Sequence, residues 1–165
     1  MTSPNEVEFS FQLWPHGWST ARLWIDRTVT EFTLTHVFND PFESLLQSSN
    51  RLASGESWAT IEWSDEPGSY VWQFLTMATE QHLLSVELAE YSQELPLHKP
   101  SDLINRTSFV VARDFWLHLV YSESRKIADS FSYRDYRLAR DDTFPRRLFE
   151  EFQANLKKQR NKTVT

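Results

Sequence analysis

The chain has 165 residues, 40% hydrophobic and 24% charged, with a net charge of −6, twelve Phe, seven Trp, five Tyr and no Cys. That length supports one domain with a core of its own, and the missing Cys removes disulfides, thiolate catalysis and zinc-finger chemistry. No stretch reaches the ~20 apolar residues of a membrane span, and Met1-Thr2-Ser3-Pro4-Asn5-Glu6 has no basic region leading into an apolar run, so a cytoplasmic protein without membrane insertion is expected.

Phe9, Phe11 and Leu13 alternate with Ser10 and Gln12, the two-residue period of a half-buried strand. Pro15-His16-Gly17 supplies turn residues, and Ala21, Leu23 and Ile25 resume the alternation, so the two segments predict an antiparallel hairpin. Asp26-Arg27 turns the chain again, and Thr28 to Phe38, rich in Thr, Val and Phe, predicts a third strand.

Asp40 then offers a carboxylate to the free amides of a first helical turn, Pro41 loses no hydrogen bond at the first helical position, and Glu43 completes a capping-box spacing. Phe42, Leu45, Leu46, Leu52 and Ala53 make one apolar stripe, and Gly55 stands where a left-handed residue closes a helix.

Trp58 to Trp63 and Tyr70 to Ala78 bracket Ser64-Asp65-Glu66-Pro67-Gly68-Ser69, a second hairpin whose turn draws a fixed φ from Pro67 and a positive one from Gly68. Leu84, Val86 and Leu88 predict a sixth strand, and Glu94 to Ser101, with Pro96 and Pro100, a polar crossing loop that ends the sheet. Arg106 to Phe131 reads as a mostly buried helix, and a last helix, capped by Asp142 or Thr143, buries Phe144, Leu148, Phe149, Phe152 and Leu156. The expected fold is α+β: a mainly antiparallel sheet of about six strands in the order βββ-α-βββ, followed by two α-helices. Residues 1–160 form one domain in this reading and 161–165 a disordered tail.

The three glycines, Gly17, Gly55 and Gly68, are isolated, which leaves no Gly-rich phosphate loop. The five histidines lack paired metal-ligand spacings, and neither a metal nor another cofactor is expected. His118, with Asp114 one helical turn earlier, is the best single group for proton transfer, against the plainer reading of a partly buried histidine satisfied by a neighbour. No catalytic residue is assigned.

Two clusters are candidate binding residues. Trp63, Asp65 and Glu66 would place an indole and carboxylates at an exposed rim, although turn chemistry alone accounts for Pro67 and Gly68. Tyr133, Arg134 and Arg137 lie in a run that interleaves aromatics with arginines, a composition that can stack bases and contact phosphates or stitch the last helices to an acidic sheet. The low isoelectric point, near 5.4, favours the second use and disfavours nucleic acid.

Charge is unevenly placed. Residues 1–124 hold 6 of the 17 Lys+Arg and 17 of the 23 Asp+Glu, a balance of −11, and residues 125–165 hold the rest, a balance of +5. In size and composition, though through no single motif, the chain looks like bacterial α+β domains of unassigned function and like the small acidic immunity proteins that neutralise toxin domains. That likeness implies a non-enzymatic protein-binding domain with a basic partner or, in a homodimer, a second copy of itself. The alternative from a different class is a small-molecule-binding or weakly catalytic domain using an aromatic pocket on the sheet, since the tryptophans are too numerous to pack on one side.

Overall fold

The alternation in the first part of the chain resolves into three strands, β1 (Val7–Leu13), β2 (Ser19–Ile25) and β3 (Thr28–Leu34), paired antiparallel in chain order. The register sets Phe9 opposite Leu23 and Phe11 opposite Ala21, which faces Phe32 in turn, so one face of this sheet is mostly apolar, with Ser19 and Thr30 in the same rows. The computed structural model describes residues 1–94, 97–131, 133–140 and 142–163, with Tyr133, Lys162 and Thr163 described in the backbone alone. Pro96 of the expected crossing loop and the end of the expected tail, Val164 and Thr165, lie outside the described residues.

Helix α1 (Pro41–Ser54) begins as its sequence dictates: Asp40 Oδ1 accepts from the amides of Phe42 (2.8 Å) and Glu43 (3.1 Å). It ends at Gly55, whose φ of 104° turns its N–H back to the carbonyls of Arg51 and Leu52. Glu43 does not reach back to complete a capping box. Its carboxylate instead accepts from Gln47 Nε2 one turn on, at 3.1 Å.

Four more strands follow: β4 (Trp58–Ser64), β5 (Ser69–Thr76), β6 (Leu83–Tyr91) and β7 (Leu103–Ala112), a second antiparallel sheet in chain order. The fold is α+β, but the single six-stranded sheet becomes a sheet of three and a sheet of four. The chain leaves the first sheet after Leu34 rather than Phe38, and among the described residues a single bridge, between Thr35 and Ser64, joins the end of β3 to β4. On the other side, Asn5 N–H donates to Val110 O (2.8 Å) and Val110 N–H to Asn5 Oδ1 (2.9 Å), joining the lead-in of β1 to β7. The two sheets thus form a ring with one narrow seam at each side.

β7 corrects the reading of Arg106 to Phe131 as one helix. Phe109 and Val111 point into the core and Ser108 faces outward, a period of two, and Ile104, Thr107, Val110 and Val111 are β-branched. Helix α2 (Arg113–Ser130) starts only after Ala112. Two further helices follow, α3 (Tyr133–Arg140) and α4 (Arg146–Thr163), so among the described residues three helices rather than two succeed the last strand. α4 opens at Arg146, just past Pro145, while Asp142 Oδ1 accepts from the neighbouring Thr143 amide.

The inward faces of both sheets and the apolar faces of α1, α2 and α4 share one core. Trp63, Trp72 and Trp116 lie at its centre, with Trp72 touching Trp63, Phe74 and Trp116 at ring centroid distances of 5.3–6.0 Å. Each such ring hides roughly 150–250 Å², or about 4–6 kcal/mol of gross transfer free energy at ~25 cal/mol per Å². The tryptophans do divide between two environments: Trp14, Trp18 and Trp58 are exposed and Trp24 is half-buried.

Candidate docking site at one end of the sheets

The strand directions send four connections to the same end of the ring: the 3-10 turn Pro15–Gly17 between β1 and β2, the segment 35–40 between β3 and α1, the turn 65–68 between β4 and β5, and the loop between β6 and β7. These connections are tied to one another. Trp14 N–H donates to Trp18 O (2.9 Å), closing the first, in which His16 and Gly17 both have positive φ, 62° and 80°. A Cβ on Gly17 would collide with the imidazole of His36, so glycine is required there both for its backbone angle and for room to take that ring.

Thr35 links this pair to the next turn, its hydroxyl lying 3.5 Å from Glu66 Oε1, while Asn39 Nδ2 donates to Glu62 O at 2.8 Å. In that turn Asp65 Oδ2 accepts from Tyr70 OH (3.0 Å), and burial, with Asp65 second, raises the Tyr70 pKa well above its usual value. The positive φ falls on Glu66 (43°), not on Gly68. Gly68 serves close approach instead, since a Cβ there would lie 2.8 Å from Tyr91 O. The fourth connection is fastened by Ser69 Oγ to Gln93 O (2.7 Å) and by the stacking of His98 on Tyr91 at 4.2 Å.

Helix α3 docks beside these loops through Arg140, whose side chain is fully buried. Its Nε and one terminal nitrogen each lie 3.2 Å from a different oxygen of Asp40, and the other terminal nitrogen donates to Trp18 O at 3.1 Å. Asp40 therefore serves twice, as the cap of α1 and as the counter-ion of α3. Tyr136, one turn before Arg140, is buried edge-on against Phe131 and Phe144, and that burial raises its hydroxyl pKa.

The site residues named from sequence divide sharply. Trp63 is in the core, its Nε1–H donating to Pro41 O at 3.0 Å, and takes no place at a rim. Its alternation partners Ala59 and Ile61 face the same way, inward. Asp65 is half-buried in the Tyr70 bond, and Glu66 is exposed. Arg134 and Arg137 are exposed on α3; Tyr133 opens that helix, and its side chain lies outside the described residues. The Glu66 turn and α3 are thus brought to one end, bridged by Thr35, His36, Gly17 and Trp18. His118 is not paired with the Asp114 carboxylate: its Nδ1 lies 2.6 Å from the Asp114 backbone oxygen.

Sequence reasoning missed the apolar character of this end. Thirteen large apolar side chains are exposed among the described residues, and eight of them sit here: Trp14, Trp18, Val37, Phe38, Leu97, Leu103, Ile104 and Leu138. Leu138 is 71% exposed and Trp14 45%. Between Leu13, Trp14 and Pro15 on one side and Phe131, Leu138 and Ala139 on the other lies a hollow of about 300 Å³. The available signal was the pair Trp14 and Trp18 flanking a Pro-His-Gly turn, where the turn residues explain the bend but not the indoles.

No protein-family model, curated protein or solved structure matches this chain. No helix among the described residues is long and apolar enough to cross a membrane.

Proposed function

We propose that this chain is a non-enzymatic protein-binding domain that docks through the loop end of its two sheets. The supporting observation is the gathering of eight exposed apolar side chains on and beside loops held by hydrogen bonds and a buried ion pair. Exposed apolar surface of that extent on a rigid platform is characteristic of interfaces, where Trp and other aromatics carry most of the affinity. Exposed charges accompany these side chains, Glu66 on the β4–β5 turn and Arg134 and Arg137 on α3. The excess of acid over residues 1–124 favours a basic partner, and an immunity-like role towards a basic toxin domain is the narrower form of this reading.

A small-molecule role is the second reading, favoured by the apolar hollow beside Trp14. It would use that hollow rather than the concave face of the sheets, which α1, α2 and the core tryptophans fill.

Affinity capture with the wild-type chain and with Trp18→Ala, Phe38→Ala and Leu138→Ala tests the proposal. A partner held by the wild type should bind each variant roughly 30-fold or more weakly, the loss expected of a central anchor, with unfolding temperatures unchanged. A partner that binds all three variants as tightly as the wild type removes this end from the interface. A vesicle that competes for the same residues would make the exposed indoles lipid anchors instead.

A further inference from the structure

Helices α2 and α4 face one another across a second hollow, of about 310 Å³, that shares no residue with the docking end. On α2, His118, Tyr121 and Arg125 follow at helical spacing along one face; on α4, Gln153, Lys157 and Arg160 do the same, with buried Leu156 between them. The volume is at the lower bound of ordinary ligand sites, which run from ~300 to ~1,000 Å³.

Its polar lining is dominated by donors, with His118 Nε2 and Gln153 Oε1 as the acceptors. Tyr121 is fixed by parallel stacking on Phe149 and by the edge of Phe152, and its oxygen accepts from Gln153 Nε2 at 2.6 Å, which leaves the phenol proton to donate elsewhere. The contact of His118 Nδ1 with a carbonyl oxygen puts a proton on that nitrogen and leaves Nε2 as the ring's other polar atom. Lys157 and Arg160 have no carboxylate within ion-pair distance among the described residues, whereas the carboxylates of α4, Glu150 and Glu151, are engaged by Arg146 and Arg147. Arg125 meets Asp129 at 3.3 Å, a pair in which both side chains are more than half exposed and which an incoming anion can displace. Three cations thus line the hollow, Arg125 from α2 and Lys157 and Arg160 from α4, against a single peripheral carboxylate among the described residues. Like charges facing one hollow favour an anion between them.

We infer that this hollow binds a small phosphate-bearing ligand. Two guanidinium forks and an ammonium match the oxygens of a phosphate group, and Tyr121 and Gln153 can satisfy the ester side. Single-stranded nucleic acid fits less well because it requires open aromatic faces for its bases, and those of Tyr121 are engaged by Phe149 and Phe152.

Calorimetric titration of the whole chain with pyrophosphate at low ionic strength tests the site. Saturable one-to-one binding is expected, weakened at least about tenfold by Lys157→Ala or by Arg160→Ala, as loss of a charge-assisted contact requires. The unfolding temperature without pyrophosphate should not move, because both side chains are exposed. Lys158→Ala, on the same helix but outside the hollow, should leave binding intact. Failure of pyrophosphate to saturate, or an equal loss with Lys158→Ala, overturns the assignment. So does an oligonucleotide whose binding depends on Lys157 and Arg160 while pyrophosphate does not compete, an outcome that would give this surface to nucleic acid.

Discussion

Arg140 and Asp40, separated by 100 residues in sequence, meet through both oxygens of one carboxylate, and the same carboxylate caps α1. Two structural duties therefore rest on a single side chain. The cap alone is worth about 0.5–2 kcal/mol, but Asp40→Ala also strands a buried guanidinium, and breaking such a pair from one side costs about 3–5 kcal/mol. Asp40→Ala should therefore destabilise by about 3 kcal/mol or more in chemical denaturation, and Arg140→Met by less, since Asp40 keeps its two amide donors. A loss for Asp40→Ala within the range of the cap alone would show that Arg140 finds other partners.

Stability should also fall in alkali. Burial holds the hydroxyls of Tyr70 and Tyr136 above their ordinary pKa of 10.0. In the unfolded chain these groups release their protons near 10, while in the folded chain they keep them to higher pH, so between the two values unfolding releases protons and rising pH favours it. The tyrosine contribution is complete below about pH 10 and is lost above it, at up to about 1.4 kcal/mol per pH unit for each ring. Urea denaturation at a series of pH values should show the decline, and Tyr70→Phe should make it shallower. An unchanged slope in that variant would mean that Tyr70 is ionised as readily folded as unfolded.

Gly17 is held by two separate constraints that can be measured apart. Gly17→Ala places a side chain at φ 80° and drives it into His36. The left-handed backbone alone costs about 1–2 kcal/mol, so the single variant should lose more than that. In a His36→Ala background the same change should cost only the backbone share. Equal costs in both backgrounds would mean that the imidazole moves aside freely.

Two core indoles differ in what their nitrogen does. Trp63 Nε1–H donates to Pro41 O, whereas the Nε1–H of Trp116 is buried with no acceptor among the described residues. Trp63→Phe forfeits a buried hydrogen bond to a helix carbonyl that keeps its intrahelical donor, a net loss of about 0.5–1.5 kcal/mol. Trp63→Phe should therefore exceed Trp116→Phe by roughly that amount in thermal or chemical unfolding, the lost ring volume being common to both. The reverse order would place an acceptor at Trp116.

Local signals carried much of this architecture, and long-range ones did not. Alternation located six strands, and Asp40, Pro41 and Gly55 located both ends of α1, because each depends on neighbours within a few residues. β7 reads as helix in the sequence because Ala112, its last residue, and Arg113, the first of α2, lend helical character to the β-branched run before them. The division into two sheets was not legible because it depends on where segment 35–40 leaves β3, and that follows from His36 packing over Gly17 in another hairpin. Glu66, Arg134 and Arg137 stand out singly in the sequence as candidates, and that they lie at one end of the fold follows from strand direction. Trp63 was misplaced because an indole next to a polar turn gives no sign of which face it takes until the register of β4 is set. Arg140 looked like its two neighbours in the arginine run, and only the fold distinguishes a buried anchor from exposed cations.

The ring of strands is closed at each side by very little: Thr35 with Ser64, and Asn5 with Val110. Within each sheet, by contrast, neighbouring strands pair along seven or more residues. Fluctuations that cost little free energy should accordingly open these two margins before they separate strands within either sheet, while the shared core keeps the sheets together. In deuterium oxide the amides of Asn5, Thr35 and Val110 would exchange early, while those of β5, flanked by β4 and β6, would persist until the whole chain unfolds. The molecule would then behave as two stiff plates joined along soft margins, with its slowest clock in the middle of the larger plate.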